Sequence, residues 1–244
     1  MRTSQSRAKI RQRRTMTYFI EAADEIIRQE GIEGVTIRKA ADKAGYTSAT
    51  LYNYFENLTH LVFLAALNYL EEYYAALPKY LAGTTNSVER YLAIAECFSE
   101  YSLSRPEIYE LLFFTQADEK LEEYMLQYYE LFPEKAVKNS PTPLPKLFNV
   151  NNMNTRNALQ LDDIVEEGYF TKEDAGDFNE VSLMVSKCVL QDVKNGRISK
   201  QEGNKKIMKF YRQILSSYMT RGCTTGLDNG VPPPPKGAKK TKAD

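Results

Sequence analysis

Apolar residues recur at helical spacing along nearly the whole chain. In residues 15–30, Phe19, Ile20, Ala23, Ile26 and Ile27 fall on one face, and Glu21, Asp24, Glu25 and Arg28 on the other. That is the pattern of a helix burying one stripe. Gly31 supplies a C-cap, and after Ile32-Glu33-Gly34 the hydroxyl of Thr36 can cap a helix running to Lys43 or Ala44. Gly45 breaks that helix. Thr47 or Ser48 caps a third over Ala49 to Phe55, and Asn57 caps a fourth from Leu58 past Tyr74 toward Pro78.

The same signals continue downstream. Asn86-Ser87-Val88-Glu89 starts a helix through Phe98 and Tyr101, Pro106 suits the first turn of one reaching Phe114, and another covers 117–132, ending at Pro133. Residues 133–155, with four Pro and five Asn, read as a long loop. Helices are expected again over 155–167, 172–194 and 200–221. The starts of the last two share one junction chemistry. Gly168 precedes Thr171 with Asp174 three residues on, and Gly196 precedes Ser199 with Glu202. Residues 222–244, with Pro232 to Pro235 and scattered Lys, read as a disordered tail. The fold class is all-α.

Charge sharpens this picture by position. Lys plus Arg and Asp plus Glu both number 32, yet residues 1–56 carry ten basic and seven acidic side chains. The first fourteen carry six basic and none acidic, while 57–230 carry 18 basic and 24 acidic. A basic front on an acidic body fits an N-terminus that faces nucleic acid. The first fourteen residues read as a flexible basic arm.

Candidate chemistry is sparse. His60 is the single histidine, and Cys97, Cys188 and Cys223 form no closely spaced pair, which argues against a zinc site or a His-dependent nucleophile. Cys97 and Cys188 read as buried small hydrophobes, and His60 as a surface residue near a helix cap. No metal, cofactor or catalytic set is expected, and the chain reads as a non-enzyme. The longest strongly apolar run, Leu61 to Leu70, is about half of what a bilayer span needs. The expectation is a soluble cytoplasmic protein without membrane association.

Residues 36–61, TIRKAADKAGYTSATLYNYFENLTHL, hold the informative segment. Two short capped helices around Gly45 make a helix-turn-helix, in which the first crosses the DNA backbone and the second lies in the major groove. Ala40, Ala41 and Ala44 let the helices approach, and Leu51 and Phe55 face inward.

Over about 50 residues the chain resembles the tetracycline-repressor (TetR) family of bacterial regulators. The resemblance rests on Phe19 to Ala23, Gly31, Thr36 to Ala41, Gly45-Tyr46-Thr47 and Thr50-Leu51-Tyr52-Asn53-Tyr54-Phe55. It implies a three-helix DNA-binding head over 15–56 and a larger helical domain over 57–221 that binds an effector and forms a homodimer on a palindromic double-stranded operator. Carried over, Thr36 and Thr47 cap helices and touch phosphate, and Arg38 reaches a base or phosphate. Ser48, Thr50 and Asn53 face base edges, while Tyr52 and Tyr54 meet phosphates or thymine methyls. The chain departs from the family pattern at Leu58 and Ser48, where lysine is frequent. The Arg-rich stretch from Arg7 to Arg14 can compensate.

The resemblance also implies an aromatic effector pocket, for which the candidates are Tyr69, Tyr73, Tyr91, Phe98, Tyr101, Tyr109, Phe113, Tyr124 and Tyr128. The acidic body favours a cationic or neutral small molecule there. Val181, Val185, Cys188 and Val189, with Phe210, Ile214 and Tyr218, are the candidates for the dimer interface. The alternative reading is a helical ligand-binding or interaction protein whose DNA head has lost operator function.

Overall fold

The structure, a computed structural model, describes residues 2–115, 120–133, 135 and 153–219. Among these the chain is helical without strands: α1 (Arg2–Glu30), α2 (Ile37–Ala44), α3 (Ser48–Tyr52), α4 (Leu58–Leu81), α5 (Ser87–Ser104), α6 (Pro106–Phe113), α7 (Leu121–Leu131), α8 (Met153–Glu166), α9 (Lys172–Lys194) and α10 (Lys200–Tyr218), with a 3-10 turn at Ile32–Gly34. Most of the 133–155 loop and the whole 222–244 tail expected from the sequence lie outside the described residues. No described helix is long and apolar enough to cross a membrane.

Several helix ends differ from the sequence reading. Residues 2–14, expected as a flexible arm, continue α1 as helix. The third helix stops at Tyr52, because the Asn53 and Tyr54 amides bond to Thr50 and Leu51 carbonyls in a tighter turn. Of the helix expected over 117–132, α7 covers Leu121–Leu131, and 117–119 lie outside the described residues. Finally, α4 passes through Pro78, which lacks an amide to donate, and runs to Leu81. There the Thr84 amide and hydroxyl both bond the Leu81 carbonyl, at 3.2 and 2.9 Å.

The chain divides into two compact units, Met1–Glu72 with Thr115–Asn149, and Tyr73–Phe114 with Val150–Asp244. The cut falls inside α4. In the first unit, Phe19, Ile20, Ala23, Ile26 and Ile27 of α1 are buried as their spacing predicts, together with Ala40, Ala41, Leu51 and Phe55. Phe19 meets Tyr46 and Phe55 at ring-centroid distances of 5.3 and 5.8 Å. From α7, Tyr124 stacks on His60 at 4.4 Å.

His60 is therefore not a surface residue. It is 4% exposed. Its Nδ1 accepts the Glu56 amide at 3.3 Å, which leaves the proton on Nε2 to donate to Gln127 Oε1 at 2.8 Å. Burial lowers its pKa from the ordinary 6.5. Folded His60 thus binds a proton more weakly than the unfolded chain does. Its contribution to stability is present above pH 6.5 and is lost as the pH falls through the folded value. Between about pH 7.5 and 5.5 the wild-type melting temperature should fall more than that of His60→Gln, each pKa unit being worth about 1.4 kcal/mol. Glu71, whose pKa is raised by burial, has the opposite sign, and comparing the two proteins cancels it. Parallel pH profiles of the two would contradict this account.

The second unit packs α5, α6, α8, α9 and α10. Both predicted junctions form full capping boxes, Thr171 with Asp174 and Ser199 with Glu202. Gly203 lies inside α10 because a Cβ there would come within 2.8 Å of Val193 and 2.9 Å of Leu103. A buried polar network crosses this core. Tyr91 donates to Asn157 at 3.2 Å, Asn157 donates to Asn179 at 2.7 Å and Ser182 at 3.2 Å, and Tyr211 donates to the Ser182 carbonyl at 3.0 Å. Each member has a partner, as a buried polar group requires.

Candidate nucleic-acid interface

The segment singled out in the sequence folds as its local chemistry dictates. Thr36, in extended conformation, accepts the Lys39 amide and starts α2. Gly45 closes that helix at φ 77°, a left-handed conformation that glycine adopts without the Cβ penalty, and the Tyr46 amide returns to the Ala41 carbonyl at 2.9 Å. Thr47 accepts the Thr50 amide at 3.2 Å and starts α3, with its hydroxyl 3.0 Å from that of Thr50. Leu51 and Phe55 anchor the turn in the core, which fixes what remains outside. Thr36, Arg38, Thr47, Tyr52 and Asn53 are exposed, and Ser48, Thr50 and Tyr54 are half-buried. Arg38 approaches Asp42 at 3.7 Å, a loose surface pair.

The basic residues of α1 join this face. Arg7, Arg11 and Arg14, spaced i, i+4 and i+7, share one side of the helix. They border a groove of about 620 Å³ whose other wall includes Tyr46, Thr50 and Tyr54. None of the three makes an ion pair among the described residues. Arg13 points elsewhere, donating to the Leu131 carbonyl at 2.8 Å. The sequence placed the charge but not its geometry, since nothing in a polar stretch announces a helical face.

The nine aromatic pocket candidates fall in both units. Tyr69, Tyr124 and Tyr128 belong to the first unit, where Arg28 sits 5.2 Å over the Tyr69 ring and Tyr128 donates to Asn68. Tyr91 packs with Phe178 and Tyr211. Only Tyr73, Phe98, Tyr101, Tyr109 and Phe113 form a cluster, with rings 5.5–6.2 Å apart. Arg156 of α8, which the sequence reading missed, lies against that cluster. The helix α4 carries its tyrosines into both units.

Of the dimer candidates, Val189 is buried within the chain, facing Gly203 across the α9–α10 packing, and is withdrawn. Cys188, expected buried, is exposed, whereas Cys97 is buried as expected. Burial also pushes the Cys97 thiol up to about 12. Val181, Val185, Ile214 and Tyr218 are half-buried, and Phe210 is 40% exposed. Met184, 56% exposed, extends the same apolar stripe. Among the described residues, no group of three or more His, Cys, Asp or Glu could hold a metal ion.

Residues 19–64 match the family of bacterial regulatory proteins, tetR family. Over 72 residues the chain is 31% identical to the HTH-type transcriptional regulator HbdR of Aromatoleum sp. (strain CIB). That stretch is 30% of this chain and spans 31% of that protein's length. A crystal structure of a Rhodococcus sp. protein described as a TetR-family transcriptional regulator aligns with a TM-score of 0.47 and 14% identity, over 84% of this chain and 98% of that one.

Proposed function

We propose that this chain, whose residues 19–64 match the tetR family of bacterial regulatory proteins, is a sequence-specific DNA-binding transcriptional regulator. In this reading it is a ligand-responsive repressor that binds a palindromic operator as a homodimer. The observation that carries the reading is the joint surface of α3 and α1. A capped recognition turn held by Leu51 and Phe55 presents its polar side chains beside three uncompensated arginines.

Each residue then has a task its chemistry suits. Arg7, Arg11 and Arg14 track phosphates, with Thr36, Thr47 and Arg38 as further backbone contacts, and these set register without reading sequence. Ser48, Thr50 and Asn53 offer short donors and acceptors to base edges in the major groove, while Tyr52 and Tyr54 meet phosphates or thymine methyls. The absence of lysine at Leu58 and Ser48 is offset by the helical arginine face. The apolar stripe of α9 and α10 supports pairing with a second copy, because a two-fold dimer buries the same patch on both chains.

A footprint of the protein on fragments of the chromosome that encodes it tests the proposal. Protection should be two-fold symmetric, with half-sites about 34–36 Å apart, one helical turn. Uniform, sequence-independent protection would favour a head without operator function.

A further inference from the structure

We propose that the second unit contains a binding site for a small monocarboxylate, centred on Arg156. This rests on the ligand-responsive reading above and gives the effector a chemical class. Arg156 is 2% exposed, and neither Nη1 nor Nη2 has a hydrogen-bond partner. Its guanidinium lies over the rings of Tyr73, Tyr74 and Phe113, at 5.7, 5.2 and 5.5 Å from their centroids. Ring faces return part of the lost hydration of a cation, but they accept no pair of N–H bonds.

Among the described residues, nothing supplies the missing negative charge. No described carboxylate pairs with Arg156. Burial drives the Tyr73 and Tyr109 hydroxyls well above their ordinary pKa, so both are neutral. The Cys97 thiol is neutral for the same reason. Arg156 also stands in the first turn of α8, where the positive end of the helix dipole disfavours a cation and favours an anion.

The adjacent Asn157 is engaged through its amide by both Asn179 and Ser182, while Ser99 Oγ and Asn204 Oδ1 of the same unit, like the two Arg156 nitrogens, have no hydrogen-bond partner among the described residues. Of these open groups Arg156 alone carries a full charge, and a buried charge with two open nitrogens is placed for an external partner. The planar fork of guanidinium matches a carboxylate with two parallel hydrogen bonds. The surrounding rings, Phe98 and Tyr109 beside Phe113, suit an apolar aromatic or acyl body. One guanidinium balances one negative charge, which favours a monoanion over a phosphate. This reverses the sequence expectation of a cationic or neutral effector, which rested on the acidity of the body as a whole.

The test titrates the full chain, without DNA, with benzoate, phenylacetate, hexanoate and octanoate, and with the primary amide of each. Calorimetry and thermal shift are the readouts. At least one acid should bind roughly 10- to 100-fold more tightly than its amide, the equivalent of a charge-assisted hydrogen bond. Arg156→Met, of similar length and uncharged, should lose that preference and melt no lower than wild type. Equal response to acids and amides, no response to any acid, or a preference that survives in Arg156→Met would each overturn the site. The contrast between acid and amide on the wild-type protein decides the matter even if the variant fails to fold. Acid binding without an operator footprint would retire the regulator reading alone. A footprint without acid preference would retire this site alone.

Discussion

Met184→Glu combined with Phe210→Glu should convert a dimer into a monomer and weaken operator binding by at least about 100-fold, the lower end of what linking two sites contributes. Val181, Met184, Val185 and Cys188 follow i, i+3, i+4, i+7 spacing on α9, and Phe210, Ile214 and Tyr218 follow i, i+4, i+8 on α10. Met184 and Phe210 are exposed in the single chain, so charges there cost the protomer little, within about 0.5 kcal/mol. In a paired interface the same charges would be buried without partners, at several kcal/mol each. Light scattering that returns an unchanged mass for the double variant would place the dimer contact elsewhere.

The second large effect concerns salt. Replacing Arg7, Arg11 and Arg14 with Gln removes six positive charges per dimer. Each neutralised phosphate contributes about 0.9 to the slope of log affinity against log salt, so the slope should flatten by up to about five. The selected sequence should not change, because phosphate contacts carry no base identity. Stability should barely move, since the three side chains make no ion pair among the described residues and Gln is nearly as good a helix former as Arg. Arg13 must be left intact, because its bond to the Leu131 carbonyl ties α1 to α7. An unchanged salt slope would mean that the arginine face of α1 does not meet DNA.

Local chemistry made much of this fold readable in advance. The caps at Thr36, Thr47, Asn86, Thr171 and Ser199, and the left-handed stop at Gly45, each depend on residues within four positions. Where the partner was distant, the reading failed. The Asn57 cap was visible, but the Gln127 and Tyr124 that bury His60 lie more than 60 residues away. Val189 looked like one more residue of an outer stripe until Gly203 brought α10 against it. The aromatic candidates are buried, Tyr101 only half so, but their division between two units depends on where α4 crosses the boundary. Arg156 was one cation among 32, and its setting follows only from the rings that α4 and α6 bring around it.

The central claim is that residues 36–54 read DNA sequence. Selecting bound DNA from a random library with wild type, Asn53→Ala and Thr50→Val tests it most directly. Wild type should return a palindrome, and each variant should lose preference at defined positions in both half-sites, by about 1–3 kcal/mol per base contact. The same consensus from all three proteins, or no enriched sequence from wild type, would contradict it.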